Sequence, residues 1–150
     1  MALDQSFVGR SYPPTPPYEV GREKIREFAD AVGDPHPAYT DQEAARALGH
    51  PDVIAPPTFA FAITYRAAGV VVQDPQLGLD YDRVVHREQR FAYTRPVRAG
   101  DRLAVVSTIE SIKSLAGNDI LEIRGEVHDQ AGEHVVTAWT KLVARAAEEA

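Results

Sequence analysis

The second half of this chain alternates. Leu103, Val105, Ser107 and Ile109 interleave with Ala104, Val106 and Thr108. Leu121, Ile123, Gly125 and Val127 interleave with Glu122, Arg124, Glu126 and His128, and Val136, Ala138, Thr140 and Leu142 make a third set. A period of two sends successive side chains to opposite faces of a strand. Turn-forming runs separate the sets: Ala99-Gly100-Asp101, Ala116-Gly117-Asn118-Asp119 and Asp129-Gln130-Ala131-Gly132. Connections this short join only antiparallel neighbours. Residues 84–95 add a further strand that ends near Pro96.

The first half has a helical period. Ile25, Phe28, Ala29 and Val32 fall at i, i+3, i+4 and i+7 and predict a helix over 20–32, with Gly33 just past its end and Pro35 blocking continuation. Thr40 and Glu43 have the spacing of a capping box for a second helix that Gly49 ends. A third helix is expected from Pro56-Pro57 to about Ala68, because proline is tolerated in a first helical turn. Phe59 to Ile63 is apolar almost all round, the pattern of a helix buried mid-fold. Residues 11–18 hold four of the eleven prolines, so they form an extended entry arm rather than a strand or helix. Helices followed by antiparallel strands define an α+β domain over residues 1–150. One helix leaves much of such a sheet uncovered, so dimerisation is expected.

Composition narrows function by exclusion. With 16 basic against 22 acidic residues and no basic block, nucleic acid is not the expected partner. The longest apolar run is five residues, so no membrane span is expected; the first five residues carry no secretory signal, and a cytoplasmic protein is expected. With no cysteine there is no disulfide, thiolate nucleophile or cysteine metal site. No Gly-x-Ser-x-Gly, P-loop or dinucleotide motif occurs, and the five histidines form no His-x-x-x-His pair. Neither a cofactor nor a metal is expected.

Chemistry is most concentrated in Gly33-Asp34-Pro35-His36-Pro37-Ala38-Tyr39. A carboxylate and an imidazole two residues apart on a proline-stiffened turn have the elements of acid–base work on a bound water. They equally have the elements of a structural turn, with Asp34 capping a backbone amide and His36 solvated.

This segment, followed by an alanine-rich helix, resembles the signature of the MaoC-like (R)-specific enoyl-thioester hydratases and dehydratases, whose pattern is Asp-x-Asn-Pro-aliphatic-His. Two further segments are similar: Val53-Ile54-Ala55-Pro56-Pro57-Thr58-Phe59, and Arg95-Pro96-Val97-Arg98-Ala99-Gly100-Asp101-Arg102-Leu103. The resemblance spans residues 5–145 and implies a hot-dog fold, an antiparallel sheet wrapped around a central helix. The chain is most similar to the A-type (HadA-type) subunit of (3R)-hydroxyacyl-carrier-protein dehydratases, lyases of fatty acid metabolism. That resemblance implies a heterodimer, with the catalytic pair on a homologous partner and the acyl channel shaped by this chain. The implied substrate is an acyl-CoA or acyl-carrier-protein thioester.

Two segments depart from the family pattern. The family carboxylate falls on Asp34, but its asparagine falls on His36 and its catalytic histidine on Tyr39. A phenol, with a reference pKa near 10, is a far poorer base at neutral pH than an imidazole. Where the family commonly has His-Gly, this chain has Pro56-Pro57, and Pro57 has no N–H to polarise a thioester carbonyl. Thr58 keeps its amide. The resemblance thus implies a degenerate site at Asp34, His36 and Tyr39. Pro57, Thr58, Phe59, Phe61, His86 and Gln89 are candidate substrate contacts, with core packing as the plain alternative for the aromatics and a strand-edge network for His86 and Gln89. Competing readings are a self-sufficient homodimeric hydratase using Asp34 and His36, a thioesterase, and a non-catalytic acyl-thioester-binding module.

Overall fold

The computed structural model describes residues 3–146. A five-stranded antiparallel sheet curls around one helix. The strands are β1 (Tyr18–Glu19), β2 (Val84–Tyr93), β3 (Arg102–Leu115), β4 (Asn118–His128) and β5 (His134–Ala144). Their order across the sheet is β1-β3-β4-β5-β2. The meander β3-β4-β5 follows the three alternating segments, and the β3–β4 register aligns Val105 with Val127 and Ile109 with Ile123. All four of these side chains are buried on the face turned toward the helices. The β3–β4 turn places both Ala116 (φ 52°) and Gly117 (φ 79°) in the left-handed region, the geometry of a type I′ hairpin.

The helices are α1 (Arg22–Val32), α2 (Gln42–Ala47), α3 (Phe59–Ala67) and α4 (Gly69–Val72). Gly33 ends α1 at φ 71°, and its N–H bonds back to the α1 carbonyls. The second helix is capped by Asp41, not by Thr40 as the capping-box spacing suggests. Thr40 is spent closing a 3-10 turn over Pro37–Tyr39, its N–H bonded to the Pro37 carbonyl at 3.1 Å. Asp41 Oδ1 instead accepts the N–H groups of Glu43 (2.9 Å) and Ala44 (3.3 Å). The third helix starts at Phe59, later than Pro56-Pro57. A residue before proline is disfavoured in the helical region, and Pro56 lies outside the helix, its carbonyl accepting the Phe59 N–H at 2.9 Å across a turn.

The proline-rich arm is extended, yet it does pair. Ser11 bridges Thr108, the Tyr12 N–H bonds to the Ser107 carbonyl at 2.9 Å, and the Thr15 N–H bonds to the Val105 carbonyl at 3.0 Å. Residues that keep an N–H alternate with prolines that lack one, so the arm follows the β3 edge irregularly and becomes regular only at β1.

Helix α3 is the filling of the sheet. Phe59 is 1% exposed and meets the Phe28 ring edge-on at 5.3 Å. Burying a side chain of that size is worth about 2–3 kcal/mol. Thr64 lies against Gly125 of β4; a Cβ added there would sit 3.4 Å from Val105 and 3.5 Å from Thr64. A single β-carbon would just fit between helix and strand there, and a branched side chain would not. A half-buried Arg95 ties the hairpins together, bidentate to the buried Asp101 at 2.8 Å and bonded to Asp129 at 3.0 Å. Trp139 lies outside the core, its ring covered by the Arg90 guanidinium at 3.9 Å.

Candidate functional site

The turn after α1 holds Asp34, His36 and Tyr39 together. Once Gly33 reverses the chain, the Asp34 N–H bonds to the Ala29 carbonyl at 3.0 Å. Asp34 Oδ1 accepts the His36 N–H at 3.3 Å. His36 Nδ1 in turn accepts the Ala38 N–H at 3.1 Å and caps the 3-10 turn. An imidazole that accepts at Nδ1 carries its single proton on Nε2, so the neutral ring has no free lone pair for a second proton transfer. The His36 and Tyr39 rings lie 5.6 Å apart. Tyr39 is 9% exposed. Burial, and then the neighbouring Asp34 charge, push its phenol above its ordinary range.

Tyr39 and Pro57 line one open cavity of about 270 Å³, together with Ile54, Tyr93, Thr94 and Pro96. The Tyr93 hydroxyl donates to the Pro57 carbonyl. Burial pushes the Tyr93 phenol up to about 12, so it stays a donor at any physiological pH. At the start of α3, then, Pro57 lacks a donor and its carbonyl is already taken. Thr58 is exposed and its side chain caps nothing. Phe59 points into the core, away from this cavity.

Phe61, His86 and Gln89 gather elsewhere. A register shift at Arg87 of β2 puts His86 and Gln89 on the same face despite their spacing. His86 Nε2 lies 3.2 Å from Gln89 Oε1, which also accepts the Thr140 hydroxyl at 2.9 Å. The Phe61 ring lies 5.5 Å from His86 and 5.0 Å from Tyr65. Gln89 Nε2 is buried without a partner among the described residues. Beside this cluster, a second cavity of about 500 Å³ is lined by Tyr65, Ala68, Val72, Tyr81, Thr140 and Leu142. Tyr65 and Tyr81 share a hydroxyl–hydroxyl hydrogen bond at its wall. Sequence analysis did not assemble this wall from Ala68, Val72, Tyr81 and Thr140. The signal was present in Tyr65, Ala68 and Val72, which follow one another at helical spacing. Among the described residues no His, Asp and Glu side chains converge as a metal-binding group.

A curled antiparallel sheet around a central helix, with the Tyr39 turn sharing a cavity with the helix start, defines a hot-dog protein. The profile of the family described as "FAS1-like, dehydratase domain region" matches residues 6–138, and the chain belongs to that family of MaoC-like hot-dog dehydratases. A UPF0336 protein of Streptomyces coelicolor is 83% identical over the full length of both chains. Among solved structures, a MaoC-like dehydratase superposes with a TM-score of 0.88 at 36% identity, over 95% of this chain and 43% of that one. This chain therefore spans less than half of that protein. The C-terminally truncated HadBC (3R-hydroxyacyl-ACP dehydratase) complex of Mycobacterium tuberculosis superposes with a TM-score of 0.83 at 34% identity, over 95% and 99% of the two chains.

Proposed function

We propose that this chain is the supporting subunit of a (3R)-hydroxyacyl-thioester dehydratase, working with a homologous catalytic hot-dog subunit on acyl-CoA or acyl-carrier-protein thioesters. One observation carries the reading: the site over the start of α3 holds a buried phenol, Tyr39, and a proline, Pro57, where water addition needs a base and an amide donor. Adding water to a trans-2-enoyl thioester requires a group that takes the water proton and donors that hold charge developing on the thioester oxygen. Tyr39 is raised away from neutral pH, His36 is spent as a turn cap, and Pro57 has no N–H. Loss of one oxyanion donor alone typically costs about 100- to 1000-fold in rate.

What the chain retains is shape. The 500 Å³ cavity beside α3 is apolar over most of its wall and suits an acyl chain, with the Tyr65–Tyr81 pair at its side. Strand β2 pairs only with β5 among the described residues, so its other edge is free to extend into a partner's sheet. The HadBC relative, a dehydratase complex, supports a two-chain arrangement. The test is hydration of crotonyl-CoA, followed by loss of the enoyl absorbance. The purified chain alone gives no turnover above the uncatalysed rate. Co-expression with a homologous chain carrying an intact Asp-x-Asn-Pro-x-His restores it. Brisk turnover by the lone chain would assign the base to this subunit instead, and release of free thiol would assign a thioesterase.

A further inference from the structure

A third cavity, of about 600 Å³, lies on the flank of α3 nearest the proline-rich arm. Residues 15–18 form one wall, α1 the second, and Ala62 and Ile63 of α3 the floor. Its lining is mostly apolar, with Pro17, Phe28 and Ile63 among the residues that form it. Charge at this groove is one-sided. Lys24 and Arg66 line it and no carboxylate does, although the chain carries 22 acidic against 16 basic residues. Lys24 has only an exposed i,i+3 partner, Glu27, at 3.3 Å, a pairing that solvent screens heavily. The Arg66 side chain takes part in none of the ion pairs or hydrogen bonds formed among the described residues, although its carbonyl closes the end of α3. An unpaired guanidinium beside an apolar trough suits a carboxylate, which its planar fork grips through two parallel hydrogen bonds.

We propose that this groove binds a free fatty acid, its carboxylate held between Arg66 and Lys24 and its chain laid along Ala62 and Ile63 against the proline wall. This site is separate from the Tyr39–Pro57 cavity and does not depend on the dehydratase reading. It shares Arg66, but not Lys24, with the 500 Å³ cavity, which gives the test its discriminating residue.

The experiment is calorimetric titration of the intact chain with decanoate and with 1-decanol, below their aggregation limits. Decanoate binds at least tenfold more tightly than decanol. Lys24→Gln and Ala62→Trp each weaken decanoate about tenfold or more. Gly69→Leu, placed where an added Cβ meets nothing within 4 Å and beside the other cavity, leaves decanoate binding unchanged. Thermal melts of each variant confirm folding. Equal affinity for decanol, indifference to Lys24→Gln and Ala62→Trp, loss on Gly69→Leu, or no binding at all would each overturn the assignment.

Discussion

His36 is the residue at which a structural and a chemical role make opposite predictions. Its Nδ1 accepts the Ala38 N–H at 3.1 Å and so caps the Pro37–Tyr39 turn. Replacing a capping side chain with alanine typically costs about 1 kcal/mol. In a domain of 150 residues that lowers the melting temperature by roughly 2–4 °C. His36→Ala is therefore expected to melt about that much earlier. His36→Asn is expected to recover most of the loss, because an asparagine oxygen accepts the same amide. Neither variant changes the rate of the assembled hydratase by more than about twofold. A general base behaves otherwise: its removal costs about 100- to 10,000-fold, and asparagine does not rescue it. The assays are differential scanning calorimetry on the isolated chain and crotonyl-CoA hydration on the chain with and without its partner. A stable His36→Asn protein that has lost a hundredfold in rate would refute the capping argument and return His36 to the chemistry.

Four further outcomes follow from the fold. Ala116 stands at φ 52°, where a Cβ is strained, so Ala116→Asn should stabilise the chain by about 0.5–1 kcal/mol in a urea melt. Gly125→Ala should be close to neutral, since the added Cβ stays at van der Waals distance, whereas Gly125→Val should cost about 1–3 kcal/mol by wedging α3 off the sheet. The phenols of Tyr12 and Tyr93 are each pushed up to about 12 by burial, with Asp74 adding to the effect at Tyr12. Their un-ionised forms are favoured by the fold, so the stability they contribute is full below about pH 10 and lost as pH rises through about 12. Ultraviolet titration should show two late phenols, one missing in each Tyr→Phe variant. Asp101→Ala should destabilise by about 1–3 kcal/mol, because the half-buried Arg95 loses its bidentate partner and keeps only Asp129 while the Arg98 N–H loses its acceptor; a loss above about 5 kcal/mol or below about 0.5 kcal/mol in a urea melt would refute this.

Local patterns in the sequence carried the sheet well. Alternation around Ile123 and Val127 and the short turns at Gly117 and Gly132 state strand, face and direction without reference to distant residues. Helix starts were less legible. Thr40 and Asp41 are adjacent capping types, and only the 3-10 turn at Pro37 decides between them. Pro56-Pro57 satisfies the rule for a first helical turn and also the rule that disfavours helix at the residue before a proline, and the second prevailed. The grouping of Asp34, His36 and Tyr39 was legible because one short turn supplies all three. The His86–Gln89–Thr140 cluster was not, since it needs a bulge at Arg87 and a neighbouring strand 51 residues away. Cavities were least legible, because each is a gap between elements distant in the chain.

The arm at residues 11–18 also governs how many copies can join edge to edge. Four prolines along the outer rim of β3 offer no ladder of donors to an incoming strand, so that rim is closed to recruitment. The opposite rim, at β2, runs for ten residues, whereas the edge at β1 is only two residues long, so β2 is the rim able to accept a strand. A union through β2 consumes the accepting rim of both participants and leaves two blunt ends. Growth by sheet extension thus stops at a pair, and a fibre cannot propagate from it.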